Sequence, residues 1–215
     1  MKKCLTEMVF ILDMSGSMNP LTLDTIGGFN ALIERQRKLP GEALISTILF
    51  NQDQNVIHDR VPVSAVTELT DMEYRPCGCT ALLDAVGSAI HHIGNIHKYA
   101  RTEDIPENTI FVITTDGMEN ASRMYSKSKI KSMIERQKSK YGWEFIFLGA
   151  NMDAVSTAEE LGIGRDNAVD YIPDAKGTKA CYTATEDAIG SIRMSGILHK
   201  KWKGTVEEDY YKRKK

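Results

Sequence analysis

The sequence predicts an α/β fold, in which a doubly wound, mostly parallel sheet has helices on both faces and one antiparallel edge strand. Short apolar runs alternate along the chain with longer amphipathic stretches, which is the pattern that βα units produce. Four of the runs are almost continuous in apolar or β-branched residues, as expected of strands buried on both faces. The runs lie at 8–12, 43–50, 109–115 and 143–149, with a weaker fifth at 168–172.

Helical patterns fill the intervals between these predicted strands. In the first helix, Ile26, Phe29 and Ile33 recur at helical spacing, which predicts one buried face. Gly27 and Gly28 each weaken that helix by about 1 kcal/mol, so their presence indicates the close approach of another element. The predicted helices span 21–38, 80–100, 127–140, 153–162 and 178–194.

A shorter and more polar segment at 51–63 directly follows the second apolar run. It contains Pro62, and proline is tolerated at the edge of a sheet but not in a central strand. We therefore predict an edge strand that pairs antiparallel with its neighbour. The predicted order of elements is β-α-β-β-α-β-α-β-α-β-α.

The length of 215 residues fits one domain with an appendage, and a hydrophobic content of 42% is sufficient for a core. We predict a domain over 1–197 and a basic C-terminal tail over 198–215, which we expect to be flexible. The tail has seven Lys or Arg residues against three Asp or Glu. A terminal charge run is more often a solvated arm than a nucleic-acid-binding segment, so we do not expect nucleic acid as a partner.

The N-terminal apolar run predicts no secretory leader, because Glu7 interrupts it and it is shorter than the ~7–15 residues of a signal sequence. No stretch approaches the ~18 apolar residues that a membrane span requires. We therefore expect a cytoplasmic protein that does not contact a membrane, with its cysteines reduced. The cysteines are Cys4, Cys77, Cys79 and Cys181.

Polar and small residues follow two of the buried strands and open one helix. Residues 13–17 read DMSGS after the first strand, and residues 116–120 read DGMEN after the strand at 109–115. Residues 77–82 read CGCTAL at the start of the long second helix. Because ligands of an open parallel sheet bind outside the carboxyl ends of its strands, we expect all three segments at one edge of the sheet.

These three segments offer a metal ion only oxygen ligands from Asp13, Ser15, Ser17, Thr80 and Asp116. The set contains no histidine or lysine, so it suits a hard cation such as Mg²⁺ or Mn²⁺ and suits zinc poorly. Because extended residues two apart point the same way, Ser15 and Ser17 can face one ion. Neutral hydroxyl ligands leave the ion with most of its charge, so it can accept an anionic ligand from outside.

This pattern resembles the metal-ion-dependent adhesion site (MIDAS) of the von Willebrand factor A (vWA) family. The matching residues are Asp13-x-Ser15-x-Ser17, then Thr80 opening a helix, then Asp116 in Thr-Asp-Gly at the end of a core strand. The resemblance implies that Ser15, Ser17 and Thr80 ligate the ion directly and that Asp13 and Asp116 act mainly through water. It also implies that an Asp or Glu of a partner protein completes the coordination shell.

The resemblance covers roughly residues 5–195 and implies a Rossmann-like vWA fold whose last helix, at 178–194, shifts when a ligand binds. The size of the chain and the stretch FLGANMD at 147–153 are similar to stand-alone bacterial or phage intracellular members. Members associated with tellurite resistance belong to this group. The oligomeric state is open.

The predicted function is a metal-dependent protein-binding module rather than an enzyme. One alternative is a Mg²⁺-dependent phosphohydrolase-like enzyme of the haloacid dehalogenase type, which also begins with an aspartate after its first strand. That chemistry needs a second acid two residues later, and this position is Ser15, which cannot serve as a general acid or base at neutral pH. The other alternative is a structural subunit whose metal site is purely stabilising.

Three further features lie outside the five predicted metal ligands. Cys77 and Cys79 form a C-x-C pair without the second pair that a structural zinc site needs, so we expect small residues in a tight loop. Glu119 and Asn120 are expected to be surface-loop residues. The acids at 207–209 could serve as a tethered ligand for the metal site of a neighbouring copy.

Overall fold

The computed structural model describes residues 1–214 and confirms the predicted fold class. Six strands form one sheet in the order β3-β2-β1-β4-β5-β6. The sheet is parallel except for β3, which pairs antiparallel with β2 at one edge as predicted. The strands are β1 (Lys2–Asp13), β2 (Glu42–Phe50), β3 (Gln54–Pro62), β4 (Pro106–Thr115), β5 (Glu144–Ala150) and β6 (Ala168–Tyr171).

Helices cover both faces of the sheet. Because side chains alternate along a strand, Phe10 of β1 packs in one core and Val9 and Ile11 pack in the other. The first core lies under α1, α5 and α6, and the second lies under α2, α3 and α4. The helices are α1 (Thr22–Lys38), α2 (Leu82–Tyr99), α3 (Lys127–Tyr141), α4 (Ala154–Glu160), α5 (Ala175–Ser195) and α6 (Gly204–Arg213). Within residues 1–214, none of these helices has both the length and the apolar composition that a membrane crossing requires.

The contact between α1 and α5 explains one of the two adjacent glycines of α1. A Cβ atom on Gly28 would lie 2.3 Å from Cδ2 of Tyr182, which is closer than any real side-chain contact. Gly27 has no neighbour within 4 Å of the same position. The predicted close approach therefore exists at Gly28 and does not involve Gly27.

The C-terminal segment differs from the predicted flexible tail. Its helix α6 packs against α5 and β6, and Trp202 and Val206 are buried beneath it. Trp202 Nε1 donates a hydrogen bond to the carbonyl of Asp166 at 2.9 Å, and Arg213 forms an ion pair with Asp174 at the start of α5. The segment packs because Val206 of α6 and Trp202, in the turn before α6, both join the core on that face of the sheet. Lys215, the last residue of the predicted tail, lies outside the described residues.

Candidate metal centre

The two predicted aspartates meet where the order of the strands reverses. Asp13 is the last residue of β1, and Asp116 directly follows the last residue of β4. These two strands are adjacent and parallel in the centre of the sheet, and their crossover connections leave in opposite directions. This is the switch point at which open α/β sheets form a ligand-binding crevice. Thr80 enters the same crevice two residues before α2 begins.

The three predicted hydroxyl ligands lie next to one another at this crevice. The Oγ atoms of Ser15 and Ser17 are 3.1 Å apart, and Ser17 Oγ donates to Oδ1 of Asp116 at 2.5 Å. A Cβ atom on Gly117 would lie 3.2 Å from Thr80 Oγ1 and 3.5 Å from Ser17 Oγ. The structure therefore brings all of these side chains together, and their ligation of a metal stays a prediction.

Asp13 is held behind the hydroxyls. Its side chain is fully buried, Oδ1 accepts a hydrogen bond from the backbone N–H of Ser15 at 2.7 Å, and Oδ2 accepts one from Thr115 Oγ1 at 2.6 Å. The hydroxyl of Tyr74 donates to the backbone carbonyl of Asp13 at 2.6 Å. Both carboxylate oxygens are thus fixed by the protein. Ser15 and Thr80 are also buried, whereas Ser17 is exposed, so the crevice is open to solvent at Ser17.

The electrostatics of the crevice favour a bound cation. Burial raises the pKa of Asp13, although hydrogen bonds from Thr115 and Ser15 oppose the shift, and the nearby Asp116 raises it further. Burial also raises the pKa of Asp116, against the hydrogen bond from Ser17. The five predicted ligands include no basic side chain that would balance the charge of the two carboxylates. A set of hydroxyl and carboxylate oxygens in a site that disfavours negative charge fits a hard divalent cation.

Glu119 and Asn120 have a larger role than the predicted surface-loop one, because they join the Asp116 loop to the start of α2. Asn120 Oδ1 accepts from the N–H of Thr80 at 2.9 Å, and the Asn120 N–H donates to the Thr80 carbonyl at 3.0 Å. The Glu119 carboxylate accepts from the N–H of Leu83 at 2.9 Å and from both the N–H and the hydroxyl of Ser122 at 2.7 Å. The two residues therefore position Thr80 beside Asp116.

Asp84 fixes the end of the same loop and was also missed by sequence reasoning. Its carboxylate accepts from three consecutive backbone N–H groups, at residues 123–125, over 2.8–2.9 Å. Tyr125 then packs over α2, where a Cβ atom on Gly87 would lie 2.6 Å from its ring. An acid in the first turn of a helix is usually explained by its favourable interaction with the helix dipole. For this reason the sequence alone does not indicate that Asp84 anchors the loop.

The C-x-C segment forms a tight loop beside the crevice, as predicted. Gly78 has a φ of +75°, and a Cβ atom there would lie 1.7 Å from Oε1 of Gln52. Cys77 and Cys79 are both free and exposed. Among residues 1–214, no group of three or more His, Cys, Asp or Glu side chains has the arrangement of a metal site. The candidate centre therefore depends on its hydroxyl groups and is not a cysteine–histidine zinc site.

Solved structures with a similar fold include a von Willebrand factor type A protein and a protein described with a MIDAS motif. The chain is similar to a von Willebrand factor type A protein from Catenulispora acidiphila, with a TM-score of 0.58 and 14% identity over 88% of this chain and 42% of that chain. It is similar to proximal thread matrix protein 1 of the mussel byssus, described with a zinc-occupied MIDAS motif, with a TM-score of 0.59 and 13% identity over 90% and 47%. A third similar structure is manganese-loaded TRAP from Plasmodium vivax, with a TM-score of 0.51 and 18% identity over 69% and 58%.

These similarities show that the chain has the Rossmann-like vWA fold. The chain spans less than two thirds of each of these three structures. No protein-family model matches the sequence, and no curated protein is significantly similar to it. Membership in the stand-alone bacterial or phage group stays a prediction.

Proposed function

We propose that the chain is a metal-dependent protein-binding module that holds Mg²⁺ or Mn²⁺ between Ser15, Ser17 and Thr80 and binds an Asp or Glu of a partner protein. The observation that supports this most is the division of the crevice into two layers. Ser17 is an exposed residue, whereas the carboxylate of Asp13 is buried and accepts hydrogen bonds at both oxygens. A cation held by neutral hydroxyls keeps an attraction for an external carboxylate.

The same layering argues against the phosphohydrolase alternative. A nucleophilic aspartate needs a free oxygen that faces its substrate, but both oxygens of Asp13 accept hydrogen bonds within the protein. The position two residues later is Ser15, whose backbone N–H is one of these donors. We therefore propose that the chain is not an enzyme, and we expect no phosphatase activity with generic phosphate esters.

Exposed methionines beside the crevice support a protein as the partner. Met118 follows the Asp116-Gly117 turn and is 74% exposed, and Met72 is 67% exposed. The guanidinium of Arg75 lies 3.3 Å from the sulfur of Met72, and the Arg75 N–H lies 3.3 Å from the sulfur of Met14. Methionine and arginine are enriched in protein interfaces, and methionine adapts to varied apolar partners. We expect the acidic residue of the partner to be flanked by apolar side chains.

The tethered-ligand hypothesis for the C-terminal acids has less support. Glu207, Glu208 and Asp209 all lie on α6, and each pairs within the chain. An acid from a separate partner protein is therefore the source we propose. A cytoplasmic location, in a bacterial or phage protein of the stand-alone type, is part of the same proposal. The free, exposed thiols of Cys77 and Cys79 support a reducing compartment.

The decisive experiment is affinity purification from lysate with the intact chain, in Mg²⁺ and in EDTA. The test variant is Ser17→Ala, which removes an exposed hydroxyl of the crevice, and the matched control is Ser64→Ala, at an exposed serine elsewhere. We expect one partner that is retained in Mg²⁺ by the wild type and the control, and is lost in EDTA and with Ser17→Ala. Retention of the partner in EDTA would contradict a metal-dependent role.

Calorimetric titration with Mn²⁺ and Mg²⁺ distinguishes the proposed binding module from a structural subunit with a purely stabilising metal site. If the wild type binds the ion and no partner is retained under either condition, the structural-subunit alternative is favoured. If neither ion binds, the proposed site itself is wrong.

A further inference from the structure

A groove of about 790 Å³ lies between α2 and α3, and none of its lining residues is a predicted metal ligand. Its apolar part is formed by Ile90, Pro106 and Trp143, all of them buried. Gly94 of α2 lines the groove, and a Cβ atom there would lie 3.5 Å from Nε2 of Gln137 and 3.9 Å from Cη2 of Trp143, both ordinary contacts. The volume lies within the ~300–1,000 Å³ that is usual for small-molecule sites.

Cationic side chains line this groove without an acidic counterpart. No Asp or Glu is among the lining residues, and within residues 1–214 none of the four cations forms an ion pair. Elsewhere on α3, Lys127 pairs with Glu160, Lys131 pairs with Glu135, and Lys138 donates to the carbonyl of Gly162 at 3.3 Å. The groove lining thus has four cations without an acidic partner in the described part of the chain. They are Lys98, Lys129, Arg136 and Lys140.

The acid that contacts the groove wall does not balance this charge. Glu7 of β1 is fully buried and reaches the groove only through His97, whose Nε2 lies 2.5 Å from its carboxylate. Arg60 donates to the other carboxylate oxygen of Glu7 at 2.6 Å. Glu7 is thus neutralised by its own partners. At the rim of the groove, a hydrogen bond from Lys140, with smaller contributions from its charge and from Arg136, lowers the pKa of Tyr141.

The groove also contains a polar atom that needs a partner. Oε1 of Gln137 is buried and has no hydrogen-bond donor among residues 1–214. Buried polar atoms in native proteins are almost always hydrogen-bonded, and an exception indicates a missing partner. A ligand hydroxyl or amine would supply the donor at this position.

We propose that the α2–α3 groove binds a small amphipathic anion. Its apolar body packs on Trp143 and Ile90, its carboxylate or phosphate group is attracted to the groove cations, and a hydroxyl or amine donates to Gln137. Four unbalanced cations over an apolar floor complement such a molecule in both charge and polarity. The proposal is independent of the metal centre, since the two sites share no lining residue.

The test uses 8-anilinonaphthalene-1-sulfonate, an aromatic anion whose fluorescence increases when it is bound, titrated into the intact folded chain in EDTA. We expect one saturable site. The test variant is the double substitution R136Q/K140Q, for which we expect at least tenfold weaker binding. The control is K200Q/K201Q, which makes the same charge change at exposed lysines outside the groove and should bind as the wild type does.

Two further arms complete the test. Gly94→Leu should abolish binding by filling the groove, and thermal unfolding establishes that each variant is folded. Octanoate and phenyl phosphate, added as competitors, distinguish a carboxylate ligand from a phosphate ligand according to which displaces the probe. Equal binding by R136Q/K140Q and its control, equal displacement by uncharged octanol, or no displacement by either anion would overturn the proposal.

Discussion

The candidate metal centre and the α2–α3 groove have opposite charge imbalances. At the metal centre, Asp13 and Asp116 are buried together with no basic side chain among the predicted ligands. In the groove, cations such as Arg136 and Lys140 have no acidic partner among residues 1–214. The two regions are therefore suited to ligands of opposite charge, a divalent cation at the metal centre and an anion in the groove.

The two regions also differ in how they are built. The loops of the metal centre are joined by short hydrogen bonds between side chains and backbone, as at Glu119 and Asn120. The groove lies between two helix faces and leaves the amide oxygen of Gln137 without a partner in the described chain. Changes at the metal centre should therefore cost much more stability than changes in the groove.

The largest effect is expected for Glu119→Ala. This change removes the acceptor for the N–H of Leu83 and for both donors of Ser122, and hydrogen bonds to a charged group contribute about 1.5–3 kcal/mol each. We expect a loss of at least about 3 kcal/mol in the free energy of unfolding in urea, together with weaker Mn²⁺ binding. Glu103→Ala, at a carboxylate that is 73% exposed, is the control and should change little. Equal stability of the two variants would show that the loop does not depend on Glu119.

The second-largest effect is the stabilisation of the folded chain by Mg²⁺, which should depend on pH. Mg²⁺ at a hundredfold excess over its Kd should add about 2.7 kcal/mol to the free energy of unfolding near pH 7.5. Because the metal-free pKa values of Asp13 and Asp116 are raised above their ordinary 3.8, protons compete with the metal as the pH falls toward that value. The stabilisation by Mg²⁺ should therefore shrink between pH 7.5 and pH 4.5, which thermal unfolding with and without Mg²⁺ measures.

Without metal, the same two groups have the opposite pH dependence. A carboxyl group whose pKa is higher in the folded state binds more protons folded than unfolded, so it adds stability as the pH falls through the window just above 3.8.

The control for the Mg²⁺ prediction is R136Q/K140Q, at the groove, which should show the same dependence of stability on Mg²⁺ and pH as the wild type. If Mg²⁺ stabilised the chain equally at both pH values, the two aspartates would not be at the metal site.

A third prediction contrasts the tightly packed α1–α5 contact with the open groove. Gly28→Ala should destabilise the chain by roughly 1–3 kcal/mol, because the new methyl group overlaps the ring of Tyr182. Gly94→Ala should stabilise it by up to about 1 kcal/mol, because its nearest contacts, at 3.5 and 3.9 Å, are ordinary and alanine favours the helix. Gly27→Ala, with no neighbour within 4 Å, should behave like Gly94→Ala. A stabilised Gly28→Ala would contradict this packing.

The smallest effect is expected for the groove charges themselves. Arg136 and Lys140 are four residues apart on α3, and like charges at this spacing destabilise a helix by about 0.2–0.5 kcal/mol. R136Q/K140Q should therefore raise the free energy of unfolding by a few tenths of a kcal/mol at low salt. The gain should disappear at high salt, where such interactions are screened. A loss of stability would show that these cations have favourable contacts.

The sequence predicted the grouping at the metal centre because parallel strands carry residues such as Asp13 and Asp116 to the same edge of a sheet. The strand-end positions therefore needed no knowledge of side-chain contacts. The contact of Glu119 with Leu83 and the contacts of Asp84 with residues 123–125 were not predictable in the same way, since these partners lie 36–41 residues away in the chain. No local spacing indicates such a pairing before the loops are folded.

The α2–α3 groove could not be predicted from the sequence for a different reason. The sequence indicates a solvated face of an amphipathic helix for Lys129, Arg136 and Lys140. These residues line the groove only because α3 lies beside α2. The C-terminal segment does contain two apolar residues that indicate packing, Trp202 and Val206. The charge of that segment outweighed the signal in the prediction of a tail.

The packing of α6 has a consequence for self-association. A strand at the edge of a sheet can pair with a strand of another molecule, and this is a common route to aggregation. In this chain α6 lies against the edge strand β6, and Lys203 Nζ donates to the carbonyl of Ala168 at 2.9 Å. The helix α6 therefore shields the β6 edge of the sheet from neighbouring molecules, and a chain truncated before Trp202 would expose both that edge and the apolar surface that Trp202 covers.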